Sequence, residues 1–203
     1  RTSNQTIMDL IVDDYSSEIT SQSIIELRNL SKWQKANHGE WTTVIGGWAV
    51  WTYYQDSFGS RDIDIVLPSD DVKRVEITDS YFPDNGIERK FEDSFQTKYH
   101  YGKDIDTPKG PDEIVFDLFY PETPRPDPDN LGVTVDWKWM FTYSKEQPIG
   151  NDAFIQVPDP ELLLPVKMVA ALSRIEELRR TDNRERKLSK IWKDYYDVGV
   201  LIN

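Results

Sequence analysis

The chain has 203 residues, a formal net charge of −12 and no cysteine, which suits one domain with an appendage and excludes disulfides and thiolate metal sites. Its 38% hydrophobic content is enough for a core, and the negative balance argues against indiscriminate nucleic-acid binding. No apolar run is long enough to span a bilayer and no signal-peptide pattern is legible, so the expected setting is cytoplasmic and away from membranes.

In chain order, Ile24, Ile25, Leu27, Leu30 and Trp33 recur at helical spacing and predict a helix over 21–36, stopped by Asn37-His38-Gly39. Residues 41–45 read as a short strand, Gly46-Gly47 as a turn and 48–55 as a helix. Trp48, Trp51, Tyr53 and Tyr54 are assigned to the core, with base stacking by one of them as the alternative. The run 63–67 is a strand ended by Pro68, and Ser69 is expected to cap a helix over 70–80 with Asp70 and Asp71 in its first turn. Residues 87–101 read as two strands around the polar stretch 92–94, and 112–120 as a third. Prolines make 121–130 a loop; 131–157 reads as irregular with one or two strands. Asp159 is the expected N-cap and Pro160 the first residue of a helix that Pro165 delays or kinks, and a last helix covers 183–201. This order gives an α+β class: a mixed β-sheet flanked by helices over 1–157, then a C-terminal helical appendage over 158–203.

Two acids interrupt the strand "DIDIVL". Alternate side chains on a strand share a face, so Asp62, Asp64 and Val66 point one way and Ile63, Ile65 and Leu67 the other. The two carboxylates then lie about 6–7 Å apart in Cα terms and repel. Water, protein cations or a divalent metal must compensate; oxygen-only ligands with an open shell suit Mg²⁺ or Mn²⁺. The strand "EIVFDLF" repeats the anomaly with Asp117, a lone acid whose unpaired burial would be very costly. In "VIGGWAVW", glycines permit close backbone approach and a helix N-terminus offers free N–H groups to phosphate.

The triplet "VIGG" (44–47), "SRDIDIVL" (60–67) and "IVFDLFY" (114–120) resembles the nucleotidyltransferase superfamily related to DNA polymerase beta. By resemblance, Gly46 and Gly47 contact the triphosphate, and Asp62 and Asp64 hold the metals. Asp117 completes the metal site or acts as general base. Ser60 supplies the hydroxyl that many members carry after the first glycine, and Arg61 joins the nucleotide-binding set. "VPDPELLLPVKMVAALSR" (157–174) and "KDYYDVGVLI" (193–202) are similar to AbiEii-like toxin nucleotidyltransferases. That similarity implies that Lys167 contacts phosphate, with Arg174, Asp194 and Asp197 as additional site residues.

The expected activity is metal-dependent transfer of a nucleoside monophosphate from an NTP to an acceptor hydroxyl. The acceptor is a tRNA end, a protein or a small aminoglycoside-like alcohol, and a toxin role would bring a cognate antitoxin as partner. The alternatives are an antitoxin-type minimal nucleotidyltransferase and a catalytically silent nucleotide- or partner-binding module on the same fold. Residues 174–193 carry Arg174, Arg179, Arg180, Arg184, Arg186, Lys187, Lys190 and Lys193. They form either a solvated face with pairs such as Glu176 with Arg180 or a phosphate-facing patch. His38 and His100 have no partner pattern and receive no chemistry.

Overall fold

The structure, a computed structural model, describes residues 15, 17–37, 42–92, 98–123, 135–179 and 184–202. The alternation in "DIDIV" and "EIVFDLF" decides the sheet. Strand β1 (Thr43–Ile45) pairs antiparallel with β2 (Asp62–Val66), and β2 pairs in parallel with β5 (Gly110–Phe119). Ile63, Ile65, Ile114, Phe116 and Leu118 are fully buried on one face. Strand β4 (Lys98–Thr107) forms a long antiparallel hairpin with β5, and β3 (Glu88–Glu92) pairs with β4. On the other side β7 (Phe154–Pro158) runs parallel to β1, with β6 (Ser144–Pro148) antiparallel at the edge. The result is a seven-stranded mixed sheet of order β3-β4-β5-β2-β1-β7-β6.

The apolar face packs against helix α1 (Ser17–Asn37), through Leu27 and Leu30, and against the helical stretch after β2. That stretch joins α3 (Asp71–Val75), a six-residue π-helical segment (Glu76–Tyr81) and α4 (Phe82–Asp84). It buries Ile77 and Phe82, whose ring centroid lies 5.2 Å from that of Phe116. Burying each such side chain contributes about 1.5–3 kcal/mol. Helix α2 (Gly46–Tyr53) follows β1 directly and buries Trp48, Ala49 and Val50. The other face is split: Ile45, Val66 and Phe119 form a small apolar cluster with Trp137 and Met140, while the aspartates beside it stay uncovered by apolar groups.

Several local expectations shift. The cap of α3 is Asp70, not Ser69: its carboxylate accepts from the Val72 and Lys73 N–H groups, and Ser69 instead offers its carbonyl to Arg74. Residues 135–157 are more ordered than their composition suggests, holding α5 (Trp137–Thr142) before β6 and β7; residues 131–134 lie outside the described residues. Asp136 caps α5 by accepting from the Lys138 N–H at 2.9 Å. Helix α6 (Pro160–Leu178) starts where expected but runs through Pro165 without delay; Pro165 and Glu161, whose carbonyl loses the bond, are both exposed and open to water. Asp159 holds the N-cap position without a side-chain cap bond, because its carboxylate pairs with Lys145 Nζ at 2.8 Å. The last helix, α7 (Arg184–Ile202), lies antiparallel to α6, as the pairs Lys167–Asp197 and Glu177–Lys187 require. The expected helix stop at His38-Gly39, Trp41 and the loop residues 124–130 lie outside the described residues. Among the described residues no helix is long and apolar enough to cross a membrane.

Candidate active site

Parallel pairing sets β2 and β5 in a register that places Asp64 directly opposite Asp117, with Asp62 opposite Val115. Paired residues share a face, so the acids of both strands emerge on the side away from the main core. All three aspartates line one cavity of about 370 Å³, within the usual range for small-ligand sites. Gly46, Gly47 and Ser60 line it from the α2 end, and Lys167, Arg174, Lys190, Lys193 and Asp194 from α6 and α7. Ile45, Phe119, Trp137 and Val166 supply an apolar portion. The lining carries five carboxylates and five lysine or arginine cations, so this cavity is charge-balanced within a chain of net charge −12.

Each aspartate has a different environment. Asp117 is buried, with Lys98 Nζ 2.7 Å from Oδ2 and His100 Nδ1 2.5 Å from Oδ1. Burial alone would raise its carboxyl; the close His100 imidazole and Lys98 ammonium outweigh burial and hold it below the usual carboxylate range. The Phe91 ring stacks on His100 at 3.9 Å between centroids. Asp62 is half-buried, and Lys190 Nζ approaches its Oδ2 to 3.5 Å. Asp64, between them, has no hydrogen bond or ion pair from any described residue. Burial, then the charges of Asp117 and Asp62, push its carboxyl up to about 7.

The two glycines are required by this packing. Gly46 takes φ +71°, and a Cβ there would fall 2.1 Å from Asp64 Oδ2. A Cβ on Gly47 would meet the Gly59 carbonyl at 2.4 Å and Lys193 Nζ at 2.7 Å. The chain therefore brings an acid, a helix N-terminus and a lysine together where any side chain would intrude.

Behind this first layer lies a second. Lys167 Nζ pairs with Asp197 Oδ2 at 2.6 Å and with Asp194 Oδ1 at 3.2 Å. Lys193 Nζ reaches Asp197 Oδ2 at 2.8 Å, and Arg174 contacts Asp194. Lys167, Lys193, Asp194 and Asp197 are all buried. Burial, reinforced by the like charge of Lys167, pushes Lys193 down to about 8. Burial would raise Asp197, but Lys167 and Lys193 more than offset it and hold its carboxyl low.

The structure thus gathers Gly46, Gly47, Ser60, Asp62, Asp64 and Asp117 around one cavity, with Lys167, Arg174 and Asp194 at its edge. Arg61 is elsewhere: its guanidinium pairs with Asp112 at 3.1 Å, because strand alternation turns it away from Asp62. Lys167 lines the cavity but is committed to two aspartates, and Asp197 sits deeper, outside the lining. The basic stretch divides between both readings. Arg174, Lys190 and Lys193 face the cavity; Arg179 pairs with Glu176 outside its lining, and Lys187 with Glu177, itself a lining residue. Arg180 lies outside the described residues. Sequence reasoning missed Lys98 and His100; their signal is the β4–β5 register, which sets His100 opposite Asp117. It also missed Tyr15, which lines the cavity and receives Lys193 Nζ 5.4 Å from its ring centroid. The tryptophans and tyrosines of α2 are not among the lining residues. Compared with known proteins, the chain matches no family model and no curated sequence.

Two outcomes follow from these environments. Lys167→Ala leaves two buried aspartates short of a cation and should cost about 3–5 kcal/mol in a urea titration, whereas a surface lysine would cost well under 1 kcal/mol. Asp64 has a raised folded-state pKa, so its contribution to stability is greatest below pH 4 and is lost as pH rises through 7. Without divalent cations, Asp64→Asn should therefore melt roughly 4–8 °C above the parent at pH 8, with the gain shrinking towards pH 5. A pH-independent difference in melting temperature would count against this environment for Asp64.

Proposed function

We propose that the chain is a metal-dependent nucleotidyltransferase, built on a nucleotidyltransferase-type α+β fold, that moves a nucleoside monophosphate from an NTP to an acceptor hydroxyl. One observation carries the reading: Asp64 and Asp117 stand opposite each other on parallel strands, with Asp62 on the same face, beside Gly46-Gly47 at the start of α2.

The donor set fits a hard divalent cation in part. Asp62 and Asp64 offer oxygen alone, and Asp64 lacks any hydrogen-bond or ion-pair partner among the described residues. Asp117 is already held by Lys98 and His100, and among the described residues no three acidic or histidine side chains form a ready-made metal cluster. Asp62 and Asp64 are therefore the residues that would hold Mg²⁺ or Mn²⁺. When bound, such ions neutralise charge at the α-phosphate and lower the pKa of an attacking hydroxyl.

The chain's own groups support the rest. The N–H groups at the start of α2 and the Ser60 hydroxyl, which line the cavity, would receive phosphate oxygens, and Arg174 and Lys193 would add positive charge beside them. Phe119, Trp137 and Val166 give a base or sugar an apolar surface. Asp117, held below the usual carboxylate range by Lys98 and His100, is a weak proton acceptor. This same feature favours the second reading, a nucleotide-binding module without turnover. The toxin role rests on the C-terminal resemblance, whose Lys167, Asp194 and Asp197 lie in the buried ion-pair cluster.

Incubation with each labelled NTP, Mg²⁺ and total RNA or cell lysate should transfer label to a tRNA or protein acceptor. Asp64→Asn should reduce transfer at least about 100-fold, the scale of losing one well-placed charge-stabilising group. Calorimetric binding of ATP and Mg²⁺ with no transfer from any NTP would select the silent module.

A further inference from the structure

The cations of the cavity fall into two tiers. Lys167 on α6 and Lys193 on α7 have side chains only 8% and 3% exposed; Lys167 pairs with Asp194 and Asp197, and Lys193 with Asp197. Lys98 and Lys190 are different: their side chains are 29% and 24% exposed, and they come from β4 and α7, on separate elements. Each reaches a different aspartate, Lys98 from the neighbouring strand to Asp117 at 2.7 Å and Lys190 from α7 to Asp62 at 3.5 Å. Between those two aspartates lies Asp64, which has no partner among the described residues.

A divalent cation seated on Asp62 and Asp64 would place two positive charges beside both ammonium groups. Like charges at such separations repel strongly in a site sheltered from water. A lysine is a point charge on a flexible four-carbon stem, so it can turn from one anion to another, and His100 stays on Asp117 when Lys98 leaves. Arg174, whose guanidinium contacts the buried Asp194, has no such freedom.

We propose that Lys98 and Lys190 are exchangeable counter-ions: without a divalent cation they neutralise Asp117 and Asp62, and when a cation binds they turn to the phosphates of the nucleotide. This rests on the nucleotidyltransferase reading and adds two phosphate-binding residues to it. A consequence is that cation and nucleotide bind cooperatively, by the same factor in either order. The lysines compete with the cation but assist the nucleotide, so their removal should act on the two ligands in opposite directions. A merely structural lysine would weaken both or neither.

Calorimetry with Mn²⁺ alone, with a non-hydrolysable triphosphate analogue alone in chelator, and with both together tests this on the full chain. Lys98→Met and Lys190→Met keep stem length while removing charge, and Lys98→Gln and Lys190→Gln serve where a methionine variant fails to fold. Each variant should bind Mn²⁺ alone roughly five-fold tighter or more, bind the analogue with Mn²⁺ more weakly, and show a coupling factor falling towards one. Lys145→Met, whose ammonium pairs with Asp159 outside the cavity lining, should leave Mn²⁺ binding unchanged. If Mn²⁺ binding is lost in Asp64→Asn yet the lysine variants bind it no tighter than the parent, the exchange is overturned and the metal site stands. If the parent binds no Mn²⁺, or Asp64→Asn binds it equally well, the metal reading falls and the exchange with it.

Discussion

Repulsion among three carboxylates is the constraint around which this molecule is arranged. Parallel pairing of β2 and β5 holds Asp64 opposite Asp117 at about the 4.8 Å spacing of neighbouring strands, with Asp62 two residues away on the same face. Such an arrangement is unstable without positive charge. The fold supplies it from β4, through Lys98 and His100, and from α7, through Lys190. Among the described residues it gives the Asp64 carboxylate no ion pair, and the glycine at 46 leaves room for that carboxylate against the backbone. The main core on the opposite face, with Ile63, Ile65, Phe116 and Leu118 fully buried, fixes the register that keeps these charges together.

The ion-pair cluster between α6 and α7 serves a different purpose. Burying Lys167, Lys193, Asp194 and Asp197 costs desolvation that their mutual attraction does little more than offset. What the cluster contributes is specificity of placement. Lys167 can meet both Asp194 and Asp197 at only one relative setting of the two helices, and that setting brings Lys193 against Gly47 and Lys190 towards Asp62. The helical hairpin is thus positioned over the cavity by charge pairing rather than by apolar packing alone. Its outer side exposes Met168, Leu172, Trp192 and Tyr195, residues the pairing does not involve.

Much of this was legible in the residues. Period-two alternation separates Asp62 and Asp64 from Ile63 and Ile65, and Asp117 from Phe116 and Leu118, so the acidic face could be read before any fold was known. The same rule turns Arg61 to the opposite face, where it meets Asp112 rather than the cavity that its place in "SRDIDIVL" suggested. Lys98 and His100 were not legible, because their meaning depends on which residues of β4 stand opposite Asp117, a register fixed by the hairpin and not by either strand alone. Lys167 and Arg174 are seven residues apart on α6, a spacing that fits a phosphate contact and an internal ion pair equally well; only the arrival of Asp194 and Asp197 from α7 decides between them. Helix α5 escaped notice because its six residues are too few to display a period, although Asp136 marks its start.

On this proposal Asp62 and Asp64 form the seat of a divalent cation, with Asp117 opposite Asp64 on the neighbouring strand. Crystals grown with Mn²⁺ and measured at a wavelength where manganese scatters anomalously test it most directly. The account predicts an anomalous peak within coordination distance of both the Asp62 and Asp64 carboxylates. A cavity with no peak, or a peak elsewhere with Lys190 still on Asp62 and Lys98 still on Asp117, would contradict it.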